Sequence, residues 1–179
     1  MASLADAFVL DFHTHWRQAG WRRTSPLRSD EPDPRENLDA LPDETAAHGI
    51  DLRAPSAPVE QLFGPDGDPS TSDVNSVNEY LAAAISERPE FLGLATVDAY
   101  AGATGAEQAR YAIEELDLAG IVVDSARHGR YPGSPPTLPT LEFAASRGIP
   151  VFVHPVAAPQ AEALWEVAGR PGNSAGRGL

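Results

Sequence analysis

The chain has no cysteine and no lysine, and a single methionine. Without cysteine there can be no disulfide, no thiolate metal site and no cysteine nucleophile. Without lysine there is no Schiff-base chemistry and no carbamylated lysine to bridge two metals; all 13 basic residues are arginine. Positive charge is scarce, 13 Lys+Arg against 26 Asp+Glu for a formal net charge of −13. That balance excludes nucleic acid as the expected partner, because its phosphates would be repelled, and it favours solubility. No apolar run approaches the ~20 residues of a membrane-spanning helix. The N-terminus lacks the basic start and apolar run of a secretory signal. The expected location is cytoplasmic, without a membrane partner.

What remains is an ordinary amount of core material. Hydrophobic residues make up 42% of 179, enough for one packed domain spanning 1–179. Short apolar segments alternate with helical patches. The run from Ala7 to His13 reads as a buried first strand. A polar, arginine-rich stretch from Trp16 to Pro34 reads as a long loop, and Glu36 to Ala47 as a short helix. Ile50 to Val59 reads as extended, with Pro55 and Pro58 against a clean strand interior.

The turn-rich Gly64–Ser72 segment leads to a helix that Asp73 should cap and Pro89 should end. Phe91 to Val97 is an expected third strand. Thr104 should cap the next helix, and Gly120 should stop it. Ile121–Asp124 and Pro150–His154 are the expected fourth and fifth strands, with a helix between them opened by Thr137 and closed by Gly148. A last helical patch is expected over Gln160–Ala168. Strand then helix, repeated five times, predicts a parallel α/β architecture.

In such folds the chemistry gathers at the C-terminal ends of the strands. Three of the five histidines fall there. His13 and His15 close the first strand two residues apart, so alternation puts both imidazoles on one face. His154 closes the fifth strand. Neutral imidazole is the commonest protein metal ligand, and three such nitrogens suit zinc or a similar divalent ion. The blander alternative is three strand-end histidines bonded to backbone carbonyls.

Asp11, two residues before His13, is either an acceptor that fixes an imidazole or a polar lid on the interior. Arg17, in the loop after the first strand, and Arg127 and His128, in the loop after the fourth, are candidate substrate contacts. Arg127 or Arg130 could take a carboxylate by a bidentate fork. His48, before Gly49, reads as a helix-end or surface residue. The glycine-rich stretches match neither a P-loop nor a dinucleotide fingerprint.

The opening Val9-Leu-Asp-Phe-His-Thr-His15 resembles the first strand of the amidohydrolase superfamily. More narrowly it is similar to the amidohydrolase-related group that includes aminocarboxymuconate-semialdehyde decarboxylase. The segments Pro89–Val97, Glu115–Val123 and Arg147–Pro155 follow in that group's order and spacing. The resemblance implies a metal-dependent (β/α)₈ barrel and one divalent ion, zinc being expected. It makes His13 and His15 the first-strand ligands and His154 the fifth-strand ligand. It implies a hydrolase or decarboxylase acting on a small organic substrate.

The resemblance also implies three further strands, a sixth carrying a histidine and an eighth carrying an aspartate that ligates metal and handles the proton. The sequence reaches Leu179 with about five of eight units, so the catalytic acid is expected beyond Leu179 and the barrel is expected to be incomplete. Its open strand edge predicts self-association or a partner chain. Two other expectations compete with the enzyme: a truncated, non-catalytic fragment of it, and a metal-dependent phosphoesterase with the same His-x-His opening. The charge of −13 disfavours the phosphoesterase.

Overall fold

The computed structural model describes residues 7–16, 41–57 and 69–156. The loop containing Arg17, the start of the first expected helix and the helix expected over 160–168 lie outside them. Among the described residues five strands and four α-helices alternate: β1 (Leu10–His15), α1 (Leu41–Ala47), β2 (Leu52–Ser56), α2 (Thr71–Ile85), β3 (Leu94–Thr96), α3 (Ala103–Glu114), β4 (Gly120–Asp124), α4 (Leu138–Arg147) and β5 (Val151–His154). Every pairing among the described strands is parallel. No described helix is long and apolar enough to cross a membrane.

The strands run in chain order, β1 beside β2 and β3–β4–β5 together. A parallel bridge between Arg53 and Phe91 joins the two groups. Arg53 N–H donates to the Glu90 carbonyl, and Leu92 N–H donates to the Arg53 carbonyl. Further along, a side chain takes the place of a neighbouring strand. Asn78 of α2 donates from Nδ2 to the Thr96 carbonyl at 2.9 Å and accepts the Thr96 N–H at Oδ1, also at 2.9 Å. Thr96 Oγ1 reaches across to the Ala57 carbonyl at 2.8 Å. β3 covers Leu94–Thr96 of the expected Phe91–Val97, the three residues that pair with Gly120–Val122 of β4.

Buried parallel strands need apolar side chains on both faces, and the core divides accordingly. Ala95, Val97, Ile121 and Val123 pack with Leu81, Ala109, Ala112, Phe143 and Ala144 of the covering helices. Leu94, Val122 and Ala54 form a second cluster with Phe12 and Phe152. That second cluster is the interior. The sheet curls around it far enough for the Phe12 ring on β1 to reach the Phe152 ring on β5, 6.0 Å between centroids.

Several boundaries differ from the sequence expectation for local reasons. The first strand is half-buried, and Phe8 before it is 69% exposed. Ser70 caps α2, and Asp73 sits at N3 as the second half of a capping box. Gly102 precedes α3, so Thr104 lies inside its first turn. That helix ends at Glu114, where Asp117 turns the chain with φ 56°. Gly120 opens β4 instead of stopping the helix. A Cβ there would lie 2.8 Å from the Pro150 carbonyl oxygen, so glycine permits the close approach of β5. Gly148 does close α4, in the left-handed region at φ 64°.

Candidate metal centre

The three strand-end histidines converge. His15 Nε2 and His154 Nε2 are 3.0 Å apart. The ring centroids of His13 lie 4.5 Å from His15 and 5.2 Å from His154. One nitrogen from each of the three falls within 4.8 Å of the others. His154 is 2% exposed, and the other two are half-buried. Beneath them the His13 ring stacks on Phe152 at 4.3 Å, so the centre sits on an apolar floor.

Simple alternation does not produce this arrangement. The β1–β2 register shifts between Asp11 and Thr14. In consequence Phe12 and His13, neighbours in sequence, both meet Phe152. An irregularity of this kind re-aims a side chain at a strand end. Asp11 holds it in place. Its Oδ1 accepts the His13 N–H at 3.3 Å, and its Oδ2 accepts the Thr14 hydroxyl at 2.9 Å. Arg53 Nε on β2 stands 3.7 Å from the same carboxylate. What Asp11 visibly fixes is the strand backbone that carries His13 and His15.

Three imidazoles are a donor set suited to a divalent cation. Zn–N bonds of about 2.0–2.1 Å place two ligating nitrogens roughly 2.9–3.4 Å apart for angles between 90° and tetrahedral. The 3.0 Å between His15 and His154 falls in that interval. The residues present therefore fit such an ion.

The fourth-strand loop carries a second polar cluster. Arg127 turns inward, its side chain 8% exposed, with Nε 4.0 Å from Asp98 Oδ1 and Nη1 3.7 Å from Asp124 Oδ2. Asp98 also accepts the Tyr100 N–H at 3.1 Å, and its own N–H donates to Gln108 Oε1. The Tyr100 hydroxyl donates to the Asp124 carbonyl at 2.9 Å. Burial, foremost, pushes the Tyr100 phenol up to about 12. The Asp124 and Asp98 carboxylates add to that rise, and Arg127 opposes it.

Arg127 and Arg130 are joined by paired backbone hydrogen bonds around His128 and Gly129, whose φ values are 48° and 73°. Two positive φ values in succession mark a type I′ turn. His128 is thus exposed at a turn tip, and Arg127 is engaged with two carboxylates. His48 is exposed just after α1. The sequence reading did not single out Asp98 or Asp124. Each is the first acidic residue after an apolar strand run, which is the signal that would have found them.

Solved structures share this fold. The chain is 19% identical to 5-carboxyvanillate decarboxylase from Sphingomonas paucimobilis, with a TM-score of 0.74 over 96% of this chain and 59% of that one. A second 5-carboxyvanillate decarboxylase, from Novosphingobium aromaticivorans with bound manganese and 3-methoxy-4-hydroxy-5-nitrobenzoic acid, gives 17% identity and a TM-score of 0.72 over 94% and 57%. 2,6-Dihydroxybenzoate decarboxylase from Rhizobium gives 18% and 0.67 over 90% and 54%.

At these identities the likeness is one of fold. The chain spans a little over half the length of each of these structures, and its fold is an incomplete (β/α)₈ barrel. No curated protein matches the chain. Residues 10–171 match the family model described as amidohydrolase, and with its strand-end histidines gathered at one centre the chain belongs to that family.

Proposed function

We propose that His13, His15 and His154 hold one divalent cation, and that the chain is the cation-binding part of a metal-dependent decarboxylase or hydrolase acting on a small carboxylated molecule. The observation that carries this reading is the convergence of three imidazoles from β1 and β5, with two Nε2 atoms 3.0 Å apart. Zinc is among the ions suited to a set of neutral imidazoles. Manganese, present in three of the related structures, is its competitor.

When bound, a divalent ion supplies Lewis-acid polarisation of a substrate oxygen. The chain's own residues supply the setting. Phe152, with Phe12 packed against it, forms the floor and fixes the His13 ring by stacking. Asp11 pins the β1 irregularity that points His13 and His15 inward. His154, almost fully buried, gives the centre a rigid third corner on another strand. The decarboxylase reading is favoured by the decarboxylases among the related folds.

Titration of the 179-residue chain with Zn²⁺ and Mn²⁺, followed by calorimetry and thermal unfolding, tests the site. One-site binding is expected, and cation at 100 times Kd should stabilise the fold by about 2.7 kcal/mol. His154→Ala and His15→Ala should each abolish that stabilisation while leaving the cation-free chain folded by circular dichroism. Binding that survives both substitutions would overturn the assignment.

A further inference from the structure

We propose that Ser56, at the end of β2, anchors the carboxylate of the bound molecule, its hydroxyl donating to one carboxylate oxygen beside the cation centre. The inference rests on the cation-binding reading above and deepens it by naming a substrate contact. Ser56 pairs in register with His15 on β1. Residues so paired on neighbouring parallel strands project to the same face, with the strands about 4.8 Å apart. Ala54, two residues earlier on β2, belongs to the interior cluster with Leu94 and Val122, and alternation carries Ser56 to that same face. Two separate lines thus put the hydroxyl on the interior. It stands one strand from His15, whose imidazole meets that of His154 at 3.0 Å.

The backbone around Ser56 is held from both sides. Trp16 N–H donates to the Ser56 carbonyl at 2.9 Å, which ties β2 to the residue after His15. Thr96 Oγ1 donates to the carbonyl of the next residue, Ala57, at 2.8 Å. The side chain is treated differently. Ser56 is 0% exposed, and its Oγ finds no hydrogen-bond partner among the described residues. A buried hydroxyl left unsatisfied is costly and calls for an explanation. An alanine, as at positions 54 and 57, would carry no such cost. A hydroxyl closed off from bulk water can bond only to a group held inside the centre, whose half-buried His13 and His15 mark its more open side.

Charge selects the partner. Arg53 and Arg127 are buried, and each faces carboxylates of the chain itself, Asp11 for the first and Asp98 with Asp124 for the second. The fork expected of Arg127 is therefore engaged within the protein. A neutral O–H suits the place beside His15 better than a guanidinium would. It gives an ionised oxygen a charge-assisted hydrogen bond without setting a second positive group against a divalent cation.

Calorimetric titration with Zn²⁺ first and benzoate second tests this, the benzoate ring suiting the floor of Phe152 and Phe12. Ser56→Ala is expected to bind Zn²⁺ as wild type does. It should weaken benzoate binding to the Zn²⁺-loaded chain about tenfold or more, the size of one hydrogen bond to a charged oxygen. Without cation it should melt no lower than wild type, because it removes a stranded hydroxyl. Ser56→Thr keeps the hydroxyl and should keep most of the benzoate affinity; if its extra methyl prevents folding, the contrast between Ser56→Ala and wild type decides.

Unchanged benzoate affinity in Ser56→Ala would overturn the proposal. So would Zn²⁺ and benzoate affinities that fall together, or a lower melting temperature, which would make Ser56 a support of the cation or of the fold. Wild-type chain that binds Zn²⁺ but not benzoate would also overturn it while leaving the three-histidine site intact. Wild-type chain that binds no cation would overturn the site itself, and the proposal with it.

Discussion

Asn78→Leu is the most informative single perturbation of the fold. Asn78 is 1% exposed and supplies both hydrogen bonds to the Thr96 backbone on the side of β3 facing β2. Leucine has the same branched outline with methyl groups in place of the amide, so no cavity is left, and any overpacking adds to the polar penalty. It removes two hydrogen bonds and leaves a buried N–H and a buried C=O unsatisfied. At about 1–3 kcal/mol for each stranded group, the cost is about 2–6 kcal/mol, a large share of an ordinary domain's stability. Urea unfolding should show a lower midpoint with an unchanged m value. The Thr96 amide should lose its protection against hydrogen exchange.

Asn78→Asp gives a control. The carboxylate still accepts the Thr96 N–H but faces the Thr96 carbonyl, so the variant should be unstable at neutral pH. Its deficit should shrink as pH falls, because the protonated acid regains a donor. A cost for Asn78→Leu below about 0.5 kcal/mol, or a Thr96 amide still protected, would refute the view that a side chain substitutes here for a strand.

Two further substitutions probe the rim of the site. Gly105→Ala puts a Cβ 2.2 Å from the Asp98 carbonyl oxygen and 2.9 Å from Thr140 Oγ1. Helix α3 must move away from β3, at about 1–3 kcal/mol, read as a lower urea midpoint; an unchanged midpoint would show that α3 does not rest on that carbonyl. Tyr100 links stability to high pH. Its phenol is raised in the folded state to about 12 from 10.0, so its contribution is complete below pH 10 and is lost as pH climbs from 10 to 12. The melting-temperature gap between wild type and Tyr100→Phe should narrow across that window, and a constant gap would contradict the shift.

Much of this protein is legible in its residues alone. The apolar runs ending in His15, Asp124 and His154 sit at strand ends because buried parallel strands must be apolar along their length and polar where they emerge. Glycine at 148 closes α4 because only a residue free of Cβ takes φ 64° at no cost. The His-x-His opening and the distant His154 mark the centre before any coordinate does.

What the residues could not show was set by contacts between distant segments. Nothing local says that β1 breaks its alternation after Asp11, because the break depends on its pairing with β2 and on the carboxylate that bonds back to His13 and Thr14. Nothing local says that Asn78 stands in for a strand. Arg127 reads as a surface arginine near a substrate loop. The tertiary structure turns it between Asp98 and Asp124, residues 29 and 3 positions away, because three buried charges can stay in the interior only by meeting one another. Sequence determined which chemistry stands at the strand ends. The curl of the sheet, which brings β5 back toward β1, decided that the three histidines on two of those ends meet at one centre.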